Sequence, residues 1–274
     1  MSLKILLCVF LALPLFAQTK PKYEVYAIQY ATLKDFAVSG LVAGADKERK
    51  MDIAMMFWLI RGGGRNILFD CGFYRESFQQ QWHPQQYEKP SKALERAGLH
   101  AEDITDIVIS HIHWHHADGF DLFPMAKVWL QRDELAFYAT DAWQGHKRTA
   151  ADPQDLLGLI KFNTEGRLNL VNGDAQEVFP GIICYTGGKH TFQSQYIGVN
   201  TAGGTVVLAS DNVYLQENLD RHVPIAATLD GESNLKAQDR MRQLATKPQW
   251  IITGHDPAVM KGFPEIAPGV VKIQ

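Results

Sequence analysis

The chain has 274 residues, 46% of them hydrophobic and 21% charged, so it is long enough to bury a large core as a single α/β unit. Its 27 Lys and Arg residues nearly balance its 30 Asp and Glu residues, which gives a formal net charge of −3. Acidic and basic residues are interspersed and no basic run occurs, which argues against a nucleic-acid partner.

Residues 1–17 have the pattern of a secretory signal peptide. Lys4 is followed by an apolar run of about a dozen residues and then by the small Ala17. The run is shorter than the roughly 20 apolar residues that a membrane-spanning helix needs, so stable membrane insertion is not expected. The pattern predicts a mature domain over 18–274 that is periplasmic or secreted. A buried N-terminal strand and an uncleaved anchor are the alternatives.

Two cysteines, Cys71 and Cys184, remain in the predicted mature chain. Both lie in or beside apolar, strand-like segments, which favours two buried free thiols. Export would also permit a disulfide between them. The sequence leaves both alternatives open.

The strands and helices follow from hydrophobic period and turn residues. Strands are predicted over residues 23–30, 54–60, 66–70, 107–110, 127–130, 168–171, 182–185, 195–200, 204–210 and 250–253. Helices are predicted over residues 91–98, 133–138, 153–161 and 233–245. Strands with interspersed helices predict a four-layer αββα sandwich whose functional loops lie along one edge. The polar segment 34–53 is long for a connector, which indicates a functional loop.

Four imidazoles occur within six residues, directly after the strand predicted over 107–110. They are His111, His113, His115 and His116. Imidazole is the commonest protein ligand for zinc and similar metals, whereas clustered protonated imidazoles would repel one another. Residues two apart on a strand point the same way, so His111 and His113 can bind one ion. A turn after Trp114 would direct His115 and His116 at a second ion.

Three further candidate ligands lie where other predicted strands end. They are His190, Asp211 and His255. Each is weak evidence alone, but together with the histidine cluster they supply six imidazoles and one carboxylate. These suffice for two ions with an open position for water. Catalytic zinc sites keep such a position, whereas structural zinc sites are closed and rich in Cys.

These residues resemble the signature of the metallo-β-lactamase superfamily, which reads His-x-His-x-Asp-His followed by a distant His, Asp and His. The members that match in order are His111, His113, His116, His190, Asp211 and His255. Asp70 resembles the family's early Asp-x-Gly. Within the superfamily the chain is most similar to the N-acyl-homoserine lactone lactonases, which carry a Tyr three residues after the bridging Asp, as Tyr214 does here.

Two positions depart from the family pattern. His115 stands where the family has Asp, and Ser194 stands where a Gly-His-Thr-Pro-Gly-His element has its second His. The first departure leaves two possibilities. If His115 binds, the pair of ions becomes more electron-poor; if it does not, the second ion loses a ligand.

The resemblance implies the metallo-β-lactamase fold and two divalent metal ions, with zinc favoured and iron, cobalt or nickel left open. His111, His113 and His190 would hold one ion, and His115, His116 and His255 the other. Asp211 would bridge them, and Asp70 would orient a His ligand.

The implied reaction is the opening of a lactone or ester by a metal-bound hydroxide, with Tyr214 donating a hydrogen bond to the developing oxyanion. A small substrate with an apolar portion is expected, with segments 34–53 and 141–152 as candidate substrate loops and Trp114 as a wall. Met55 to Trp58 are favoured as core residues over pocket residues. A β-lactamase, another hydrolase of this fold, or a degenerate metal-binding member with low turnover are the alternatives. The sequence does not define the oligomeric state.

Overall fold

A computed structural model describes residues 20–146 and 149–274. The predicted signal peptide therefore lies outside the described residues. The described strands are β1 (Glu24–Ala37), β2 (Lys50–Gly62), β3 (Arg65–Phe69), β4 (Asp106–Val108), β5 (Lys127–Gln131), β6 (Leu168–Val171), β7 (Gln176–Phe179), β8 (Ile182–Thr186), β9 (Gln195–Thr201), β10 (Gly204–Ser210), β11 (Ile251–Thr253), β12 (Glu265–Ala267) and β13 (Val270–Lys272). The α-helices are α1 (Glu76–Trp82), α2 (Pro90–Glu95), α3 (Trp114–Ala117), α4 (Arg132–Ala139), α5 (Pro153–Thr164), α6 (Gln216–Asp220), α7 (Gly231–Leu244) and α8 (Val259–Gly262).

The strands form two sheets. The larger has the order β12-β13-β1-β2-β3-β4-β5-β6, and the smaller has the order β11-β10-β9-β8-β7. β3, β4, β5 and β6 run parallel to one another, as do β10 and β11. The loops that follow parallel neighbours emerge at the same edge of a sheet, which brings distant parts of the chain together there.

Three separate apolar cores lie between four layers. One core packs the large sheet against its helices, a second fills the space between the sheets, and a third packs the small sheet against α7. Strand β2 contributes to two of them because successive side chains point to opposite faces: Phe57 belongs to the first core, and Met56 and Trp58 to the second. This layering is the predicted αββα sandwich.

Helices α5 and α7 begin at acidic caps. The Asp152 carboxylate accepts a hydrogen bond from the Gln154 backbone N–H at 2.8 Å, and Pro153 occupies the first helical position. The Asp230 carboxylate accepts one from the Ser233 N–H at 3.1 Å. These contacts satisfy backbone donors that a helix start leaves without an intrahelical partner.

The irregular loop within segment 34–53 is shorter than predicted. β1 continues to Ala37 and β2 begins at Lys50, so the irregular part covers 38–49. The ends of β1 and β2 are partly exposed and carry polar residues, so hydrophobic alternation did not indicate them. Lys34 and Asp52, for example, form an ion pair there at 2.7 Å.

The state of the two cysteines is settled within the described residues. Cys71 and Cys184 are buried free thiols, and burial raises the pKa of each. No helix in the described part of the chain is long and apolar enough to cross a membrane.

Candidate metal centre

The four clustered histidines divide at a short helix. His111 lies three residues after β4, and His113, in extended backbone, is the N-terminal cap of α3. His115 and His116 lie within the single turn of α3. The change from extended to helical backbone sends the two pairs in different directions, as the predicted turn required.

Loops from the smaller sheet bring the other three side chains. His190 lies four residues after β8, Asp211 follows β10 directly, and His255 follows β11 and Gly254. A side chain at Gly254 would lie 2.7 Å from the Ser210 carbonyl oxygen and 2.9 Å from the Asp211 Oδ1. Only glycine therefore allows His255 to approach Asp211 so closely.

The first group of donor atoms consists of His111, His113, His190 and Asp211, with one ligand atom of each within 4.8 Å of the others. The His190 Nε2 lies 3.1 Å from the His113 Nδ1 and 3.4 Å from the Asp211 Oδ2. The His111 Nε2 lies 3.7 Å from the same oxygen. Donors about 2.0–2.1 Å from a tetrahedral zinc ion are roughly 3.3 Å apart, so this spacing fits a metal ion.

The second group consists of His115, His116, Asp211 and His255, within the same 4.8 Å limit. The Asp211 Oδ1 lies 3.1 Å from the His116 Nε2 and 3.0 Å from the His255 Nε2. The His115 Nε2 lies 3.4 Å from the Asp211 Oδ2. Asp211 therefore lies between the two groups, with Oδ1 beside His116 and His255 and Oδ2 beside His111, His190 and His115.

Several of these atoms are buried without a hydrogen-bond partner in the described chain. They are the Nε2 atoms of His111 and His116 and both carboxylate oxygens of Asp211. A buried carboxylate with no hydrogen bond is costly unless a cation compensates it. The donor set therefore fits a pair of divalent ions, although the roles of the individual ligands stay a prediction.

Outer hydrogen bonds orient four of the imidazoles. The Nδ1 atoms of His190 and His255 lie 2.7 and 2.9 Å from the carbonyl oxygens of Ala227 and Ala54, to which they donate. Such a bond fixes the tautomer and leaves Nε2 as the free donor to a metal.

Asp70 joins the two halves of the molecule beneath the centre. Its Oδ2 lies 2.8 Å from the His116 Nδ1 and accepts the hydroxyls of Ser110 at 2.9 Å and Ser210 at 2.7 Å. Its Oδ1 accepts the Ser110 N–H at 2.7 Å. The Ser110 hydroxyl in turn lies 2.8 Å from the His111 Nδ1. Asp70 therefore orients a histidine, as predicted, and its backbone has a φ of 60°, rare for a residue other than glycine.

Burial and the neighbouring imidazoles keep His111, His113 and His115 neutral. Burial lowers the pKa of His111 and His113 well below the usual value, and it lowers that of His115 to about 3. Burial also opposes protonation of His116, but Asp211 and Asp70 outweigh it and raise the pKa to about 10. Burial alone would raise the pKa of Asp211, but the nearby His116 and His255 outweigh this effect. The pKa therefore lies well below its usual value, and the carboxylate is ionised.

A cavity of about 230 Å³ opens above the two donor groups. Its floor contains His113, His115, His190, Asp211 and His255. Its walls are mostly apolar and include Leu33, Phe36, Leu41, Ile53, Met55, Trp82 and Trp114. The cavity thus combines a polar floor with apolar walls.

Both predicted substrate loops reach this cavity, through Phe36 and Leu41 from one segment and Ala150 from the other. Trp114 is a wall, as predicted, and it stacks on Trp82 with ring centroids 5.4 Å apart. Met55, which the sequence favours as a core residue, is only 2% exposed and also lines the cavity. It therefore belongs both to the core and to the cavity wall.

Tyr214 lies at the same floor, with its hydroxyl 3.4 Å from the His190 Nδ1. Burial raises its pKa well above the usual value, and Asp211 raises it further, so the hydroxyl keeps its proton. Because the His190 Nδ1 donates to Ala227, the Tyr214 O–H is left to donate to a bound molecule.

Sequence reasoning missed Glu134, which lies on α4. This buried carboxylate accepts the Ile112 N–H at 3.2 Å and the Gln193 N–H at 2.6 Å. It therefore connects the loop of His111 and His113 to the loop of His190. Ser110, Ser210, Leu33 and Trp82 were missed as well. Nothing in the local sequence marks these residues, because their contacts depend on the tertiary fold.

The four-layer sandwich carries two histidine-rich donor groups at one edge, an arrangement compatible with a dinuclear metal site. The metallo-beta-lactamase superfamily model matches residues 56–255, more than half of the chain. The chain therefore belongs to the metallo-beta-lactamase superfamily.

Its curated relatives include N-acyl homoserine lactonases. The one from Bacillus cereus is 30% identical over 177 residues, covering 63% of this chain and 65% of that protein. The N-acyl homoserine lactonase AiiA from Bacillus thuringiensis subsp. kurstaki is 30% identical over 166 residues, covering 60% of each. The chain thus spans less than two thirds of the length of these relatives.

Solved structures show the same fold. A mutant of Bacillus thuringiensis AiiA with N-decanoyl-L-homoserine bound at its active site has a TM-score of 0.73 at 23% identity, covering 92% of this chain and all of that one. AidC, a dizinc quorum-quenching lactonase in complex with a product, has a TM-score of 0.65 at 18% identity, covering 93% and 95%.

Proposed function

We propose that the protein is a metal-dependent hydrolase that opens lactones, with N-acyl homoserine lactones as its substrate class. The observation that carries the proposal is the convergence of six imidazoles around Asp211, four of which line the floor of an apolar cavity together with that carboxylate. The similarity to N-acyl homoserine lactonases supports the choice of substrate class.

The chain's side chains divide into two ligand sets. His111, His113 and His190 would hold one ion, and His115, His116 and His255 the other, with Asp211 shared. Two divalent ions held there would supply Lewis acidity at a carbonyl and would lower the pKa of water to about 7.

Tyr214 supplies a proton donor beside these ligands. Its hydroxyl would donate a hydrogen bond to the carbonyl oxygen of the substrate as negative charge develops there. Addition of water to the carbonyl carbon and cleavage of the ring C–O bond convert the lactone into a hydroxy acid. The high pKa of Tyr214 keeps the donor protonated throughout.

The apolar walls would hold the acyl chain. They include Leu33, Phe36 and Leu41, together with the stacked rings of Trp82 and Trp114. Burial of apolar surface is worth roughly 25 cal/mol per Å², so these walls favour a substrate with a hydrocarbon portion over a small polar one.

The test combines elemental analysis with a substrate panel. Purified protein is expected to hold near two metal equivalents and to open an N-acyl homoserine lactone faster than a simple ester, a phosphodiester or a β-lactam. His113→Ala should lose metal and activity together. Protein without bound ions after expression in zinc- or iron-supplemented medium would contradict the proposal, as would loaded protein that opens no lactone.

A further inference from the structure

His115 is the member of the centre that departs from the family signature, in which an Asp takes its place. We propose that His115 is a metal ligand that makes the two halves chemically equal, so that the centre takes two ions of one nitrogen-preferring kind. Zinc, cobalt and nickel belong to this kind. The inference rests on the metal centre of the proposed function, but not on its substrate.

His115 lies as close to the shared carboxylate as His190 does, which is one of the histidines that match the family signature. Its Nε2 lies 3.4 Å from the Asp211 Oδ2, the same separation as that of the His190 Nε2. Its ring centroid lies 4.1 Å from that of His116 and 5.2 Å from that of His255. The ring therefore faces the shared carboxylate together with the other two imidazoles of its half.

The two halves have the same composition as a result. Each offers three imidazoles, and Asp211 is the only carboxylate in either donor group found among the described residues. Asp70 does not alter this count, because it contacts the outer Nδ1 of His116. Magnesium, calcium and manganese prefer carboxylate, carbonyl and water oxygens, whereas imidazole suits zinc, copper, iron and nickel.

His115 also differs from His116 and His255 in the hydrogen bonding of its Nδ1, the ring nitrogen other than the Nε2 beside Asp211. Its Nδ1 is buried without a hydrogen-bond partner in the described chain, whereas the Nδ1 atoms of His116 and His255 are bonded. Among residues 20–146 and 149–274 no hydrogen bond depends on this ring nitrogen, so His115 can be replaced without loss of an outer hydrogen bond there. Both His115→Ala and His115→Asp are therefore suitable test variants.

The experiment titrates metal-free protein with cobalt and follows visible absorption, with manganese as competitor. Wild type should bind two cobalt equivalents of similar affinity and resist manganese at both. Loss of an outer hydrogen-bond partner alone typically costs 10–100-fold in metal affinity, so removal of the ligand in His115→Ala should weaken one equivalent at least about tenfold. His115→Asp should keep two sites, one of which now accepts manganese.

The matched control is His222→Asn, because His222 is exposed, lies outside the donor groups, and pairs with Asp239 at 3.0 Å. Asn tolerates the φ of 49° found there, and the titration should be unchanged. Two unweakened equivalents in His115→Ala would overturn the inference, as would equal manganese competition in wild type and His115→Asp. Two cobalt sites without lactone opening would instead defeat only the proposed function.

Discussion

Glu134 is a buried carboxylate that acts on the metal centre through the backbone. It accepts N–H groups from Ile112 and Gln193, each of which lies within three residues of a predicted ligand. A carboxylate can accept at both oxygens, whereas an amide has one acceptor and one donor group. An amide at this position would therefore place a donor against a backbone N–H.

Glu134→Gln is expected to lower metal affinity of the first ligand set by about 10–100-fold, the usual effect of losing an outer-shell partner. The measurement is metal retention against a chelator, with circular dichroism to show that the fold persists. Glu165→Gln on the exposed end of α5 is the matched control and should retain its metal. Equal retention in both variants would show that Glu134 does not position the loops.

Tyr214→Phe separates the catalytic step from metal binding. Loss of one oxyanion donor typically costs 10²–10³ in kcat, so we expect a fall of about that size with metal content unchanged. Steady-state kinetics with elemental analysis checks this expectation. An unchanged kcat would remove Tyr214 from the reaction, and a parallel loss of metal would make it structural.

At the scale of single residues, the sequence could predict the candidate metal ligands but not the residues that position them. The histidine cluster and Asp211 are visible because metal-binding side chains recur at strand ends. Glu134 and Ser210 carry no such mark, since each becomes important only through a partner more than twenty residues away.

The space between the two sheets is the element-scale feature that supports the site. Trp58 on β2 is fully buried there and packs on Phe69 of β3 with ring centroids 5.7 Å apart. Neighbouring strands in both sheets end in loops that carry ligands, so the sheet interface determines how those loops face each other.

Trp58→Ala should therefore lower the free energy of unfolding by about 3–5 kcal/mol through lost burial and a cavity. Denaturant unfolding measures the change. Leu157→Ala on the exposed face of α5, where Leu157 is 67% exposed, should change it by no more than about 0.5 kcal/mol. Equal effects of the two substitutions would contradict the layered assignment.

The sequence predicted long apolar elements better than short polar ones. The strands over 54–60 and 204–210 match β2 and β10 closely, because continuous apolar runs determine them. The elements that were missed are β7, β12, β13, α1, α3, α6 and α8. Each is seven residues or shorter, and α1 has a single buried residue, Phe78, so its pattern alone is too weak to indicate a helix.

At the scale of the whole molecule, residues 1–17 carry the expectation of export, which remains a proposal. If they form a cleaved signal peptide, the mature protein begins at Gln18. Mass spectrometry of the periplasmic or secreted fraction should find that terminus. Intact Met1 in a cytoplasmic fraction alone would contradict it.

The central claim is that loops from both sheets bring two sets of imidazoles around Asp211 to hold a pair of ions. Anomalous diffraction from crystals of zinc-loaded protein tests this most directly. The account predicts two peaks beside Asp211, one adjoining His111, His113 and His190 and the other adjoining His115, His116 and His255. A single peak, or none at these side chains, would contradict it.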